Sequence, residues 1–398
     1  MSEYYQKVCI NDDCTCYYAG GKLRQTYSPQ FKKTWLATSS KTQVESAYFY
    51  GRGHSLDEEC PADLMEAWKS AQTKIRAYMR AFHTVGLNIK QRCLLELIPH
   101  SDLITFYECK NKITKHVFES QPKPDDYEFF NSLHSLLHEI GNRSLVIEEQ
   151  ALAKDLHKPQ VHGFWKQVKK TKPYIIFDMF KSKTGRLTTC RGSFPILTMA
   201  KDYRKILKPR NDYFVEFDYN AAELRTLLAL SGAPQPDQDV HQWNVENVYR
   251  GLLTRAQAKK RIFEWLYNPQ SKDHLSERVY KKEHVKDKYY NGSSITNPFN
   301  REIECDDHHA LNYLIQSTTS DMFLRQVLKI QQYLQTKSLK SFISFMMHDS
   351  IILDMTQEEC KNLPELKQLF ASTDFGVFGV SCKRGINYGE IKELQNET

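Results

Sequence analysis

Two apolar runs, FVEF at residues 214–217 and SFISFMM at residues 341–347, each lead into an aspartate, Asp218 and Asp349, after which the pattern changes. Short runs rich in aromatic and branched residues, bounded by turn-formers, predict buried strands. Beyond Asp218 the period becomes helical: in NAAELRTLLALSG, Leu224, Leu227 and Leu228 share one face and Gly232 supplies a stop. Beyond Asp349 a second apolar run, IILDM, predicts the return strand of a hairpin with His348-Asp349-Ser350 at its tip. Each strand therefore delivers a carboxylate at its exposed end.

Elsewhere the pattern is mostly helical. In PADLMEAWKSAQTKIRAYMRAF, Leu64, Trp68, Ile75 and Met79 recur near the helical period. SQPKPDDYEFF is a Pro- and Asp-rich breaker and predicts a boundary, followed by a helical stretch with Gly141-Asn142 as its stop. Pro173, Gly185, Gly192 and Pro195 break residues 165–210 into loop and short strand. Residues 240–290 read as helical and NGSSITNPFNRE as a turn-rich return. Asp306 can cap a long helix in which Leu311, Leu314, Ile315, Thr318 and Met322 face a core, with Asn312 and Gln316 four apart on another face. No repeat or low-complexity tract is present.

A chain of 398 residues is too long for one ordinary core and predicts two or three domains or subdomains. The balance of 55 Lys+Arg against 48 Asp+Glu gives a formal charge of +7, unevenly spread. Residues 165–210 hold thirteen Lys/Arg against Asp178 and Asp202, a block suited to a polyanion. MSEYYQKVCIND lacks the basic and apolar regions of a signal peptide, and no apolar stretch reaches the ~18 residues of a membrane span. The expectation is a soluble, intracellular, cytoplasmic protein with no membrane partner. Ten cysteines in such a length fit reduced thiols. Cys9, Cys14 and Cys16 cluster locally and could hold zinc with Cys60 or His54 as a distant fourth ligand, although no paired Cys-x-x-Cys is present.

Two carboxylates at strand ends suit a pair of divalent cations about 4 Å apart, which lower the pKa of an attacking hydroxyl and stabilise a leaving group. Between them, Arg255, Lys259, Phe263 and Tyr267 follow at four-residue steps in RAQAKKRIFEWLY, a slowly drifting stripe on one helix face. Arg and Lys one turn apart suit phosphates, and Phe and Tyr offer a surface to sugar and base.

At this point the chain resembles the family A DNA polymerases, the class of bacterial DNA polymerase I and its phage relatives, through five motifs in order over roughly residues 130–398. TGRLTT is similar to the primer-contacting motif, DYNAAELR to motif A, RAQAKKRIFEWLY to motif B, ALNYLIQSTTSD to the helix that reads the minor groove, and HDS to motif C. The resemblance implies an α+β right-hand polymerase: an antiparallel palm sheet, helical fingers and thumb, and a small N-terminal region of unknown fold. It parcels the chain into an N-terminal region (1–120), thumb and primer-contacting segment (121–210), first palm part (211–235), fingers (236–300) and second palm part (301–398). Asp218 and Asp349 become the metal ligands for two Mg²⁺ ions, with Mn²⁺ as a substitute, and with Arg255 and Lys259 the catalytic set. Glu223, Arg255, Lys259, Phe263, Tyr267 and His241 become the nucleotide-binding residues. Arg186, Arg301, Asn312, Gln316 and His348 become the DNA-binding residues. Glu223, packed against Tyr267, would exclude a ribose 2′-hydroxyl, and Phe263 implies poor dideoxynucleotide use. The implied reaction adds dNMP to a primer 3′ end on primer-template DNA, in viral or plasmid replication or DNA repair.

The chain departs from that family at four places. Ser350 stands where a second acid is usual, Asn268 replaces a glycine, the segment between Tyr267 and Arg301 is short, and residues 1–120 offer no strand bearing Asp-x-Glu. The last implies no proofreading site in this chain and a separate exonuclease, or a processivity factor, as a further partner. HDS also resembles motif C of single-subunit phage RNA polymerases, which makes RNA synthesis the alternative that Glu223 argues against. A catalytically silent DNA-binding homologue is the other, and it predicts a missing aspartate or stripe where both are intact.

Overall fold

The computed structural model describes residues 3–8, 16–37, 44–87, 89, 92–268 and 270–394. The chain divides into two compact units, Met1–Ser135 and Leu136–Thr398.

In the first unit β1 (Glu3–Lys7), β2 (Tyr17–Ala19), β3 (Lys22–Arg24), β4 (Phe31–Thr34) and β5 (Glu45–Ser46) form one sheet in the order 3-2-1-4-5. Pairing is antiparallel along β1, β2 and β3 and parallel along β1, β4 and β5. Helices α1 (Ala47–Tyr50), α2 (Met65–Thr84), α3 (Leu94–Leu97) and α4 (His100–Ser120) follow, and the division between units falls within α5 (Tyr127–Asn142). The expected apolar stripe of α2 packs inward: Trp68 is buried with its ring 5.1 Å from Phe106, while Ile75 and Met79 lie half-buried against a core that includes Val8, Tyr18, Leu103 and Tyr107.

The second unit opens with α6 (Pro159–Lys170) and two small ladders, β6 (Val146–Ile147) with β9 (Leu207–Lys208) and β7 (Phe177–Asp178) with β8 (Thr188–Thr189). Helix α6 corrects the expectation of loop and short strand at the start of the basic block. Val161, Phe164 and Val168 are buried at helical spacing there, so Lys166, Lys169 and Lys170 ride on an amphipathic helix whose apolar face the charge count obscured.

The main sheet runs in the order β13-β14-β10-β17-β18, antiparallel throughout, from β10 (Tyr213–Tyr219), β13 (Phe342–Met347), β14 (Ser350–Met355), β17 (Val380–Gly385) and β18 (Lys392–Glu393). As the middle strand, β10 is buried from Phe214 to Phe217 without alternation, Glu216 among them, so both of its faces are covered. Between β10 and the hairpin lie α7 (Ala222–Leu230), α8 (Val240–Asn247), α9 (Arg255–Tyr267), α10 (His274–Tyr280), α11 (Lys282–Tyr289), the β11–β12 hairpin (Ser294–Thr296, Glu302–Glu304) and α12 (Asp307–Thr336). The helices α8 to α11 share a core of Val240, Tyr249, Ile262, Trp265, Tyr280 and Val285. Asp306 caps α12 as expected, accepting from the His309 N–H at 2.9 Å. Leu314, Ile315, Thr318 and Met322 are buried along it, with Leu311 half-buried. After β14, α13 (Leu363–Ala371) and the small β15–β16 hairpin (Ser372–Thr373, Gly376–Val377) lead to β17. The fold is thus α+β, with the hairpin Asp349 and the central-strand Asp218 in one sheet.

Candidate active site

Asp218 pairs in register with Ser350 of β14 on one side and Ser381 of β17 on the other. Asp349 immediately precedes Ser350 in the two-residue turn between β13 and β14, so the antiparallel ladder brings both aspartates to the same end of the sheet. His348 adopts φ 56° in that turn, a left-handed conformation that costs a residue with a Cβ roughly 1 kcal/mol and that tightens the hairpin. Ser350 sits in the strand rather than at the tip, its hydroxyl donating to the Met347 carbonyl at 2.9 Å.

Burial pushes the Asp218 carboxyl up to about 7, with the Asp349 and Glu216 charges adding to the shift and Lys383 and Lys201 opposing it. Burial also raises Asp349, against its own backbone N–H, His348 and Arg186. Two carboxylates whose charge is this poorly compensated form a site that a divalent cation relieves. Among the described residues no group of three or more His, Cys, Asp or Glu could hold a metal ion, so substrate phosphates and water would have to complete any shell around the two aspartates. Glu216 and Lys383, paired at 2.9 Å, were not anticipated. The available sign was the i, i+2 spacing of Glu216 and Asp218, which puts both acids on one face of the strand.

Glu223 lies in the first turn of α7, and its carboxylate accepts from the Arg186 guanidinium. Burial raises its pKa, the Arg186 charge opposes that, and the Asp349 charge adds to it. The partner found for Glu223 is thus Arg186, while Tyr267 stacks on Phe263 with ring centroids 5.8 Å apart and planes 1° from parallel.

Helix α9 begins with a capping box in which the Thr254 side chain accepts from the Gln257 N–H and the Gln257 side chain accepts from the Thr254 N–H. Ala258, Ile262, Trp265 and Leu266 anchor one face, which leaves Arg255, Lys259 and Tyr267 exposed and Phe263 half-buried. Arg255 makes a bidentate pair with Asp239 at 2.9 Å through both nitrogens. Asp239 is also the N-cap of α8, and its carboxyl is pulled down to about 2, chiefly by the Arg255 hydrogen bond. His241, buried in α8, lies 5.6 Å from the Phe263 ring; burial, helped by Lys259 and Arg255 and opposed by Asp239, lowers it to about 4, so it is neutral at pH 7. Its Nδ1 has no hydrogen-bond partner among the described residues.

Gln316 donates to Asn312 at 2.9 Å on the half-buried side of α12. Arg301 is held by Asp321 through two bonds of 2.9 and 2.7 Å. Its guanidinium packs against Gly185, where φ is +73° and an added Cβ would lie 2.6 Å from Nη2. Of the cysteine cluster, Cys9 and Cys14 lie outside the described residues, and Cys16 is buried in the core of the first unit. In the same unit Gln6 on β1 donates to Asn111 and Thr114, both at 3.0 Å.

No family model and no curated protein matches this chain. Its fold is nevertheless similar to that of a solved polymerase domain. A solved structure described as the POL domain of Pol1 from M. smegmatis in complex with DNA primer-template and dNTP matches 87% of this chain and 82% of its own, with TM-score 0.61 and 13% identity. The family A resemblance therefore stands at the level of fold.

Proposed function

We propose that the chain is a template-directed DNA polymerase of the family A type, adding dNMP to a primer 3′ end with release of pyrophosphate. One observation carries this: Asp218 and Asp349, 131 residues apart in sequence, reach the same end of one sheet, where burial raises both carboxyls. On this reading the five-stranded sheet is the palm, split between residues 211–235 and 301–398. Residues 236–300 are the fingers, residues 121–210 the thumb and primer-contacting segment, and residues 1–120 a separate N-terminal region. A solved polymerase domain bound to primer-template and dNTP having the same fold supports the partners as well as the reaction.

The two aspartates would hold Mg²⁺ or Mn²⁺, which supplies charge stabilisation for the attacking and leaving oxygens. The rest falls to the chain. Arg255 and Lys259, one turn apart on an exposed face, would orient the triphosphate, and the stacked Phe263 and Tyr267 would carry sugar and base. Neutral His241 beneath that face would offer an N–H to the triphosphate rather than a charge. Glu223, fixed by Arg186, would occupy the space of a 2′-hydroxyl and favour dNTPs by clash. Asn312 and Gln316 would face the minor groove, with His348 and Arg301 beside the primer and template.

The test is extension of a primed template with dNTPs and, separately, rNTPs. Asp218→Ala and Asp349→Ala should each lower extension by at least about 10³-fold while primer-template affinity changes little. Unchanged extension by either variant removes the metal role, and efficient rNTP extension by the native chain overturns the assignment to DNA.

A further inference from the structure

Helix α2 of the first unit carries a feature that the polymerase chemistry does not use. Residues 67–95 contain six Lys/Arg (Lys69, Lys74, Arg76, Arg80, Lys90 and Arg92) and no Asp or Glu. Within α2, Lys69, Thr73, Arg76, Arg80 and His83 follow at spacings of four, three, four and three, the repeat that keeps side chains on one helix face. All five are exposed. Arg76, Arg80 and His83, with Thr73, Met79 and Thr84, line a groove of about 710 Å³.

Few protein partners neutralise this face. Asp57 approaches Arg76 only to 3.9 Å while accepting from Trp68 and Gln72, and no carboxylate among the described residues pairs with Lys69 or Arg80. Lys74, one residue off the stripe, is the cation that the fold consumes, bound to Asp102 at 3.2 Å. The aromatic residues of α2 point the other way. Trp68 stacks on Phe106, Tyr78 donates to Asp102, and Phe82 packs into the Val8 and Tyr107 core. Apart from the His83 imidazole at its end, the exposed face thus offers cations and hydroxyls and no aromatic ring on which a base could stack.

We propose that this face of α2 is a second nucleic-acid surface that holds the phosphate backbone of double-stranded DNA. Charge selects a polyanion, and the inward-turned aromatics select duplex over single strand, because single-strand sites are built on exposed rings. From Lys69 to His83 the stripe rises about 21 Å, enough to follow several consecutive phosphates with three cations. The choice of DNA over another polyanion rests on the polymerase reading, whereas the cationic face does not.

The experiment measures affinity of the full chain for a 30-base-pair blunt duplex across a salt series, for the native protein, for Lys69→Gln/Arg76→Gln/Arg80→Gln, and for Arg76→Lys/Arg80→Lys. Each lost phosphate contact reduces the slope of log K against log salt by about 0.9, so the neutral variant should be shallower by about 2 to 3 and the lysine variant close to native. Equal slopes for the native and neutral proteins overturn the inference. So does a loss confined to single-stranded oligonucleotide or to vesicles of anionic lipid. Asp349→Ala provides the separation from the polymerase reading: it should abolish extension and keep the native slope, so failure of either assay is assigned to its own claim.

Discussion

The pair Arg301–Asp321 decides whether an arginine expected at the template strand serves DNA or the fold. The Asp321 side chain is 3% exposed and the Arg301 side chain 17%. Two charge-assisted bonds of 2.9 and 2.7 Å join them, and Asn297 Nδ2 adds a third donor at 2.8 Å. Arg301→Met keeps the length of the side chain and removes the charge. Asp321 is then left with one neutral donor in a buried place, and breaking a buried pair from one side costs about 3–5 kcal/mol. The double variant Arg301→Met/Asp321→Asn no longer strands a charge and should lie at least about 1 kcal/mol above the sum of the single losses. Urea unfolding followed through Trp165, Trp243 and Trp265 of the second unit, with amide exchange along α12, reads both quantities. A stability loss below about 0.5 kcal/mol for Arg301→Met, together with weakened primer-template binding, would refute a structural role and leave the residue to the template alone.

Three further outcomes follow from the same geometry. Gly185→Ala combines a left-handed φ of +73° with a Cβ 2.6 Å from the Arg301 guanidinium, so it should cost about 1–3 kcal/mol in urea unfolding, and less in the Arg301→Met background. Arg225 is buried with its guanidinium donating to the carbonyls of Asn220, Pro236 and Gln238; Arg225→Met should destabilise by about 3 kcal/mol and raise amide exchange across residues 233–239. His241 is neutral in the fold, lowered from its ordinary 6.5 to about 4, so acidification from pH 6.5 towards 4 protonates the unfolded chain first and must lower stability over that window. His241→Asn should flatten this part of the pH–stability curve, and an unchanged curve would contradict the assignment.

The parts of this molecule that could be read in advance are those written by neighbours in sequence. The apolar run into Asp218, the tight turn at Asp349, the Asp306 cap and the four-residue stripe of α9 each depend on residues within a turn or two, and each lies where the pattern put it, save that Ser350 belongs to the strand. What escaped were the partners. Arg186 and Glu223 are 37 residues apart, Lys383 and Glu216 are 167 apart, and Arg301 and Asp321 are 20 apart. Nothing in a hydrophobic period announces such pairs, because a charge leaves the same mark in the sequence whether it meets solvent, a carboxylate or a phosphate. The start of the basic block shows the converse: thirteen cations in residues 165–210 hid Val161, Phe164 and Val168, the apolar face of α6.

That asymmetry also orders the cations of this chain by what they remain able to do. Arg301 is spent on a buried carboxylate, and its removal should be felt as lost stability before it is felt as lost binding. Arg255 is held by Asp239, but half of its side chain is exposed, so an incoming triphosphate has only a solvent-screened pair to displace. Lys259 on α9, like Lys69 and Arg80 on α2, is exposed and meets no carboxylate among the described residues, so its charge is fully available to an anion from solution. The same physical test, what a cation already touches, therefore separates residues that build the fold from those free to bind phosphate, and it does so without reference to any motif.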